Sequence, residues 1–223
     1  MNDLHGQMQG VWSAVAATTG GAGGAVMFIG ARQTDGVSAC ARAFAELCAR
    51  RATRPVWLLD LDLFAPGQFE ALGASRGGWS GPFDMTFGQA PFWRASPRSP
   101  DGRQGEGVVV SYRAPDGLLF VSKGRREALL PGQSLQVAPA PNYWRAVRQA
   151  VEMTIVDAPP LERSRAGLAI AADMDGVVLV VDGEKGDARD AVEMRDEVLA
   201  RGARLLGVVV VQGGRKRRLK GAA

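Results

Sequence analysis

The chain has 223 residues, 46% of them apolar and 22% charged, with a formal net charge of +4. This suits one α/β domain with a sizeable core, and no uninterrupted apolar run nears the ~18 residues of a membrane span. Five basic residues stand in "RKRRLK" (215–220); without them the chain carries −1 in place of +4, so the basicity belongs to a tail.

The opening "MNDLHGQ" has neither the basic start nor the apolar stretch of a secretion signal, and a cytoplasmic protein is expected. Residues 1–24 form a weakly amphipathic extension ending in the flexible "TTGGAGG", ahead of a domain expected to span 25–213. "AVMFIG" (25–30) reads as a buried strand. Helix 36–51 follows, with Val37, Cys40, Ala41, Phe44, Ala45 and Cys48 on one face and Arg42, Glu46, Arg50 and Arg51 largely opposite. Cys40 and Cys48 would then lie about 12 Å apart, too far for a disulfide, and read as buried free thiols. With His5 the single histidine, no Cys/His cluster for zinc is expected.

"PVWLLDLDL" (55–63) is a second strand, and residues 73–107 form a Gly/Pro-rich insertion. Phe83, Phe87, Phe92 and Trp93 predict that part of this insertion packs on the body, while its "SPRSPDGRQGEG" end reads as a mobile loop. Strands return in "GVVVSYR" and "GLLFVSKG", then a helix capped by Asn142 and carrying Trp144, Val147 and Val151. "MTIVDAPP" (153–160), "DGVVLVVDG" (175–183) and "LLGVVVVQG" (205–213) are further strands, with helix 187–201 closed by Gly202. Apolar, β-branched strands alternating with helices predict a doubly wound, mainly parallel sheet flanked by helices. A basic tail, 214–223, remains.

Two patterns carry chemistry. The strand–turn–helix "MFIGARQTDGVSACARAF" aims backbone N–H groups at an anion. In the phosphate loop G-x-x-x-x-G-K-[ST] the lysine reaches the β/γ-phosphates and the hydroxyl meets Mg²⁺. Counted from Gly36, the first glycine position is Ala31, the lysine position is Val37, and Ser38 keeps the hydroxyl. Acidic residues also end two strands. Asp60 and Asp62 are expected on one face by alternation, and Asp157 stands after four strand residues. Ligands of open α/β sheets bind outside the carboxyl ends of the strands.

The succession "IGARQTDGVSACARAFAEL … PVWLLDLDLFAP … TIVDAPPL … DGVVLVVDG … LLGVVVVQ", over roughly residues 25–212, resembles the cytoplasmic kinase domain of bacterial exopolysaccharide tyrosine autokinases. That family belongs to the MinD/ParA-like branch of P-loop ATPases. The resemblance implies a P-loop NTPase-like fold, with Gly36, Ser38 and Ala39 on the phosphate side and Asp60 as the catalytic aspartate. It makes Asp62 its metal-side companion and Asp157 the Walker-B carboxylate, so that Ser38, Asp62 and Asp157 would surround Mg²⁺. Gln212 stands where the family has an adenine-contacting asparagine. ATP or ADP with Mg²⁺ is the implied cofactor, weakly bound or lost. The implied partner is a membrane-anchored polysaccharide co-polymerase or export protein at the inner face of the bacterial inner membrane. Self-association into a homo-oligomer is also consistent with the family.

Val37 replaces the lysine, the C-terminal tyrosine cluster is missing, and Gln212 replaces asparagine. Tyr112 and Tyr143 are the only tyrosines, and Tyr143 beside Trp144 suggests packing. The leading reading is therefore a degenerate, kinase-like regulator of capsule- or holdfast-type polysaccharide production that works by binding partners. One alternative is a weak ATPase or autokinase whose phosphate site is rebuilt with Arg32, Lys123 or Lys185. Another is a MinD/ParA-like positioning ATPase. The tail would hold anionic membrane, less readily nucleic acid, or serve as a solvated end.

Overall fold

The computed structural model describes residues 2–20, 23–65, 67–74, 77–98, 105, 107–115 and 117–212. The basic tail and most of the loop expected to be mobile lie outside them. Among the described residues no helix is long and apolar enough to cross a membrane.

The five apolar runs become adjacent strands of one sheet: β1 (Gly24–Gly30), β2 (Val56–Asp60), β8 (Met153–Asp157), β9 (Gly176–Asp182) and, at its edge, β10 (Leu205–Val211). With β6 (Leu119–Gly124), β5 (Val109–Arg113) and β3 (Ser80–Asp84), these make eight strands in the order β10-β9-β1-β8-β2-β6-β5-β3. From β10 to β6 every pairing is parallel; β5 and β3 are added antiparallel at one edge.

Side-chain alternation divides each central strand between two cores. Ala25, Met27, Ile29, Trp57, Leu59 and Val156 face one layer, which holds α4 (Pro141–Ala150), α5 (Ala166–Ile170) and α6 (Ala188–Ala200). Val26, Phe28, Val56, Leu58 and Ile155 face the other, with α1 (Asn2–Thr19), α2 (Val37–Ala49) and α3 (Gly67–Ala71). A sheet buried on both faces needs continuous apolar strands, as these sequences provide.

Helix α1 lies against α2 and β10, burying Met8 and Val15, and the Gln7 amide both donates to and accepts from the Val210 backbone at the sheet edge. The insertion contributes β3 and β4 (Trp93–Ser96), and β4 pairs antiparallel with β7 (Ser134–Val137) from beyond the insertion. Phe92 and Trp93 are buried and Phe87 packs against the same core, as expected, whereas Phe83 stays exposed. Tyr143 is buried, its hydroxyl donating to the Met85 carbonyl.

Asn142 is not the cap of α4. Pro141 opens that helix with its fixed φ, Ala140 is the cap residue, and Asp173 accepts the Ala140 N–H from outside. Helix α6 ends as expected, with Gly202 at φ +74°. Cys40 and Cys48 are buried free thiols, pushed up to about 12 by desolvation and so inert as nucleophiles.

Candidate functional site

Strands β1, β8 and β2 are adjacent and parallel, so their carboxyl ends share one edge of the sheet. In register, Asp60 is level with Asp157. The turn after β1 is a short 3-10 segment, Gln33–Asp35, whose buried Asp35 carboxylate accepts from the Arg32 N–H. Gly36, at φ +81°, turns the chain into α2. A left-handed φ favours glycine, so Gly36→Ala is expected to cost about 1–2 kcal/mol. Urea denaturation checks this; an unchanged midpoint would contradict the assigned turn.

A cleft of about 360 Å³ opens at this edge, lined by Gly36, Ser38, Ala39, Asp60, Asp62 and Asp157 among others. Six of the seven residues expected at the site are thus brought together. Gln212 follows β10, exposed, and is not part of the lining.

Val37 is 6% exposed and belongs to the core beneath α2. Its side chain sits against Gly30, where an added Cβ would come within 2.7 Å of Val37 Cγ2. The lysine position of the loop is thus filled by a core residue.

The acidic residues are held differently from one another. Strand β2 stops at Asp60, short of the expected Leu63, yet Asp60 and Asp62 both line the cleft while Leu59, Leu61 and Leu63 pack in the opposite core. Asp60 Oδ1 accepts from the Asp62 N–H at 3.0 Å, a local turn that competes with continuation of the strand. Asp62, in the same cleft, pairs with Arg163 at 2.6 Å. Asp60 is 6% exposed; burial first, and the Asp157 charge second, push its carboxyl up to about 7. Asp157 is likewise raised by burial. Its Oδ2 accepts from Gln68 at 2.6 Å. The Ser38 hydroxyl lies near enough to favour the ionised form, although no well-formed hydrogen bond reaches Oδ1.

Gln68, Arg42 and Arg163 are functional neighbours that sequence reasoning missed. Arg42 lies one turn beyond Ser38 on α2, a spacing that puts both on one side of the helix, and that was the available signal. Gln68 follows a Pro-Gly pair and Arg163 sits in a polar turn, so neither carried one.

Of the cations offered as substitutes for the lysine, Arg32 and Lys123 are engaged elsewhere and Lys185 is not part of the cleft lining. Arg32 lines the cleft but its guanidinium is bonded to Asp190. Lys123 stands over the Phe69 ring at 4.7 Å, and Lys185 is exposed in the turn after β9.

Does this geometry suit the Mg²⁺-nucleotide that the fold implies? The glycine turn, the helix N-terminus, the Ser38 hydroxyl and the unpartnered Asp157 Oδ1 favour it. Against it, the loop's cation, Arg32, is engaged by Asp190, Asp62 is neutralised by Arg163, and Gln68 occupies Asp157 Oδ2. Among the described residues no three His, Cys, Asp or Glu side chains converge on a point where a metal could sit. The residues present do not fit a tightly held triphosphate.

A glycine turn and helix after the first strand, with aspartates closing two neighbouring strands of a mainly parallel sheet, define a P-loop NTPase-like fold of the MinD kind. Solved structures with this fold include the chimerical protein CapA2B2, 16% identical, with a TM-score of 0.61 over 92% of this chain and 84% of that one. The VpsO kinase domain, 15% identical, gives 0.57 over 93% and 97%. MinD of Pyrococcus horikoshii, solved with Mg-ADP and 14% identical, gives 0.58 over 87% and 72%. No protein-family model matches the sequence, and no curated protein matches it. At these identities the likeness is one of fold, and that fold is the one the motifs implied.

Proposed function

We propose that this chain is a degenerate, tyrosine-autokinase-like protein of bacterial exopolysaccharide production. It acts by binding a membrane-anchored co-polymerase or export component at the cytoplasmic membrane face, without efficient phosphoryl transfer. The observation that carries this is Val37, buried where the phosphate-binding lysine would stand. Phosphoryl transfer depends on positioning and on neutralising the charge of the transferring group. Losing one charge-stabilising donor already costs about 3–4 kcal/mol of transition-state stabilisation. A valine can neither donate to a phosphate nor leave its packing without losing apolar contact. The kinase-domain folds resembled here support the polysaccharide setting.

Isothermal titration with ATP–Mg²⁺ is expected to show no micromolar binding. Micromolar affinity together with turnover abolished by Asp60→Ala would sink the proposal. Val37→Lys separates a lost site from a rebuilt one. Affinity gained from none supports loss, whereas damage to an existing activity would show that another cation had taken the lysine's part.

A further inference from the structure

Gln68 is unusual for a residue of a five-residue helix at a surface cleft: it is wholly buried, and every polar group on it is used. Its backbone N–H donates to Asp60 Oδ2 at 3.0 Å. Its Nε2 donates to the Ser38 carbonyl at 2.8 Å and to Asp157 Oδ2 at 2.6 Å. Its Oε1 accepts from Arg42 at 2.9 Å. The neighbours fix the orientation of this amide, because reversing it would set its oxygen against two oxygens and its nitrogen against a guanidinium.

One neutral residue therefore ties together α2 and the end of β8 through its side chain and the end of β2 through its backbone N–H, with the guanidinium of Arg42 behind it. Linking a buried carboxylate to a hydroxyl-bearing loop is the task of a divalent cation in an oxygen-rich site. We infer that Gln68, clamped by Arg42, is a built-in substitute for that cation, so that the site edge is held in its assembled form without any ligand. This rests on the partner-binding function proposed above and extends it: the surface offered to a partner would not be switched by nucleotide or metal. The Asp62–Arg163 pair acts in the same direction, tying the turn after β2 to the turn after β8 with an internal cation.

Mn²⁺ alone, added to the full chain, tests the inference through thermal unfolding and direct titration. The wild type is expected to show no saturable Mn²⁺ binding and no rise in Tm. In Gln68→Glu the donor becomes a third carboxylate beside Asp60 and Asp157; its Tm is expected to fall in the absence of metal. Mn²⁺ is then expected to bind saturably and restore it, and Asp157→Asn in the same background to remove the effect. Saturable binding with a raised Tm in the wild type would overturn the inference, as would a folded Gln68→Glu that Mn²⁺ leaves untouched. If the acid cluster keeps Gln68→Glu unfolded even with Mn²⁺, Gln68→Ala decides. It removes the donor without adding charge and is expected to take up Mn²⁺ through the freed Asp157 carboxylate; no uptake overturns the inference. Nucleotide is absent throughout, so ATP turnover by the wild type would sink the proposed function while Gln68 is still judged on Mn²⁺ alone.

Discussion

Trp144→Ala is expected to destabilise the protein by about 3–5 kcal/mol, in the range for truncating a buried aromatic residue. Trp144 is fully buried on α4, stacks on Phe92 at 5.1 Å and meets Tyr143 edge-on at 5.3 Å. Phe92 in turn touches Trp93, so this ring cluster is what fastens the Gly/Pro-rich insertion to the sheet. The loss should be largest where that insertion meets α4, with faster amide exchange in β4 than in β1. Urea denaturation followed by circular dichroism gives the size of the effect. Trp144→Phe should cost much less, because the indole Nε1 has no hydrogen-bond partner among the described residues and its removal relieves a buried donor. Equal losses in the two variants would show that shape in this cluster matters less than its burial suggests.

The strands that build the site edge were readable because they are buried on both faces. "AVMFIG", "VWLLD", "MTIVD" and "GVVLVVD" have no polar face to disguise them. The added strands were harder. Strand β3 reads "SGPFD" and is exposed throughout, so neither alternation nor apolar content marked it. Helices α3 and α5 have five residues each, too few for a 3.6-residue period to repeat. Helix α1 extends over 18 residues although its sequence reads only as a weak amphipath, because its few apolar residues are fixed by packing on α2 and β10.

At the site, spacing alone foretold that Val37 lies on the apolar face of its helix, together with Phe44 and Cys48. It also placed Asp60 and Asp157 at neighbouring strand ends. What it could not supply was partner choice. A glutamine after Pro-Gly and an arginine on the polar side of α2 look like surface residues until the fold closes Gln68 over Asp157. Nor did spacing show that the strand would end at Asp60, where the carboxylate captures the Asp62 N–H.

The Asp60–Asp157 pair predicts how stability depends on pH. Two carboxyl groups level with each other on adjacent strands, both buried, face no cation among the described residues that contacts either directly. Asp60 is pushed up to about 7 from an ordinary 3.8. Between those values the folded protein keeps a proton that the unfolded chain has released, so stability must fall as pH rises through the window and level off above it. The shift corresponds to at most about 4 kcal/mol, and Asp157, also raised by burial, acts in the same sense. Asp60→Asn removes the titrating group but leaves one side-chain oxygen for the two backbone N–H groups, of Asp62 and Gln68, that Asp60 now receives. The variant should therefore be the less stable protein near pH 5, where Asp60 is protonated, and lose far less on moving to pH 8. The two Tm-against-pH curves are expected to converge, and to cross if the charge repulsion outweighs the missing acceptor. Parallel curves would mean that Asp60 is ionised across the whole range, and that a cation from outside the described residues neutralises it.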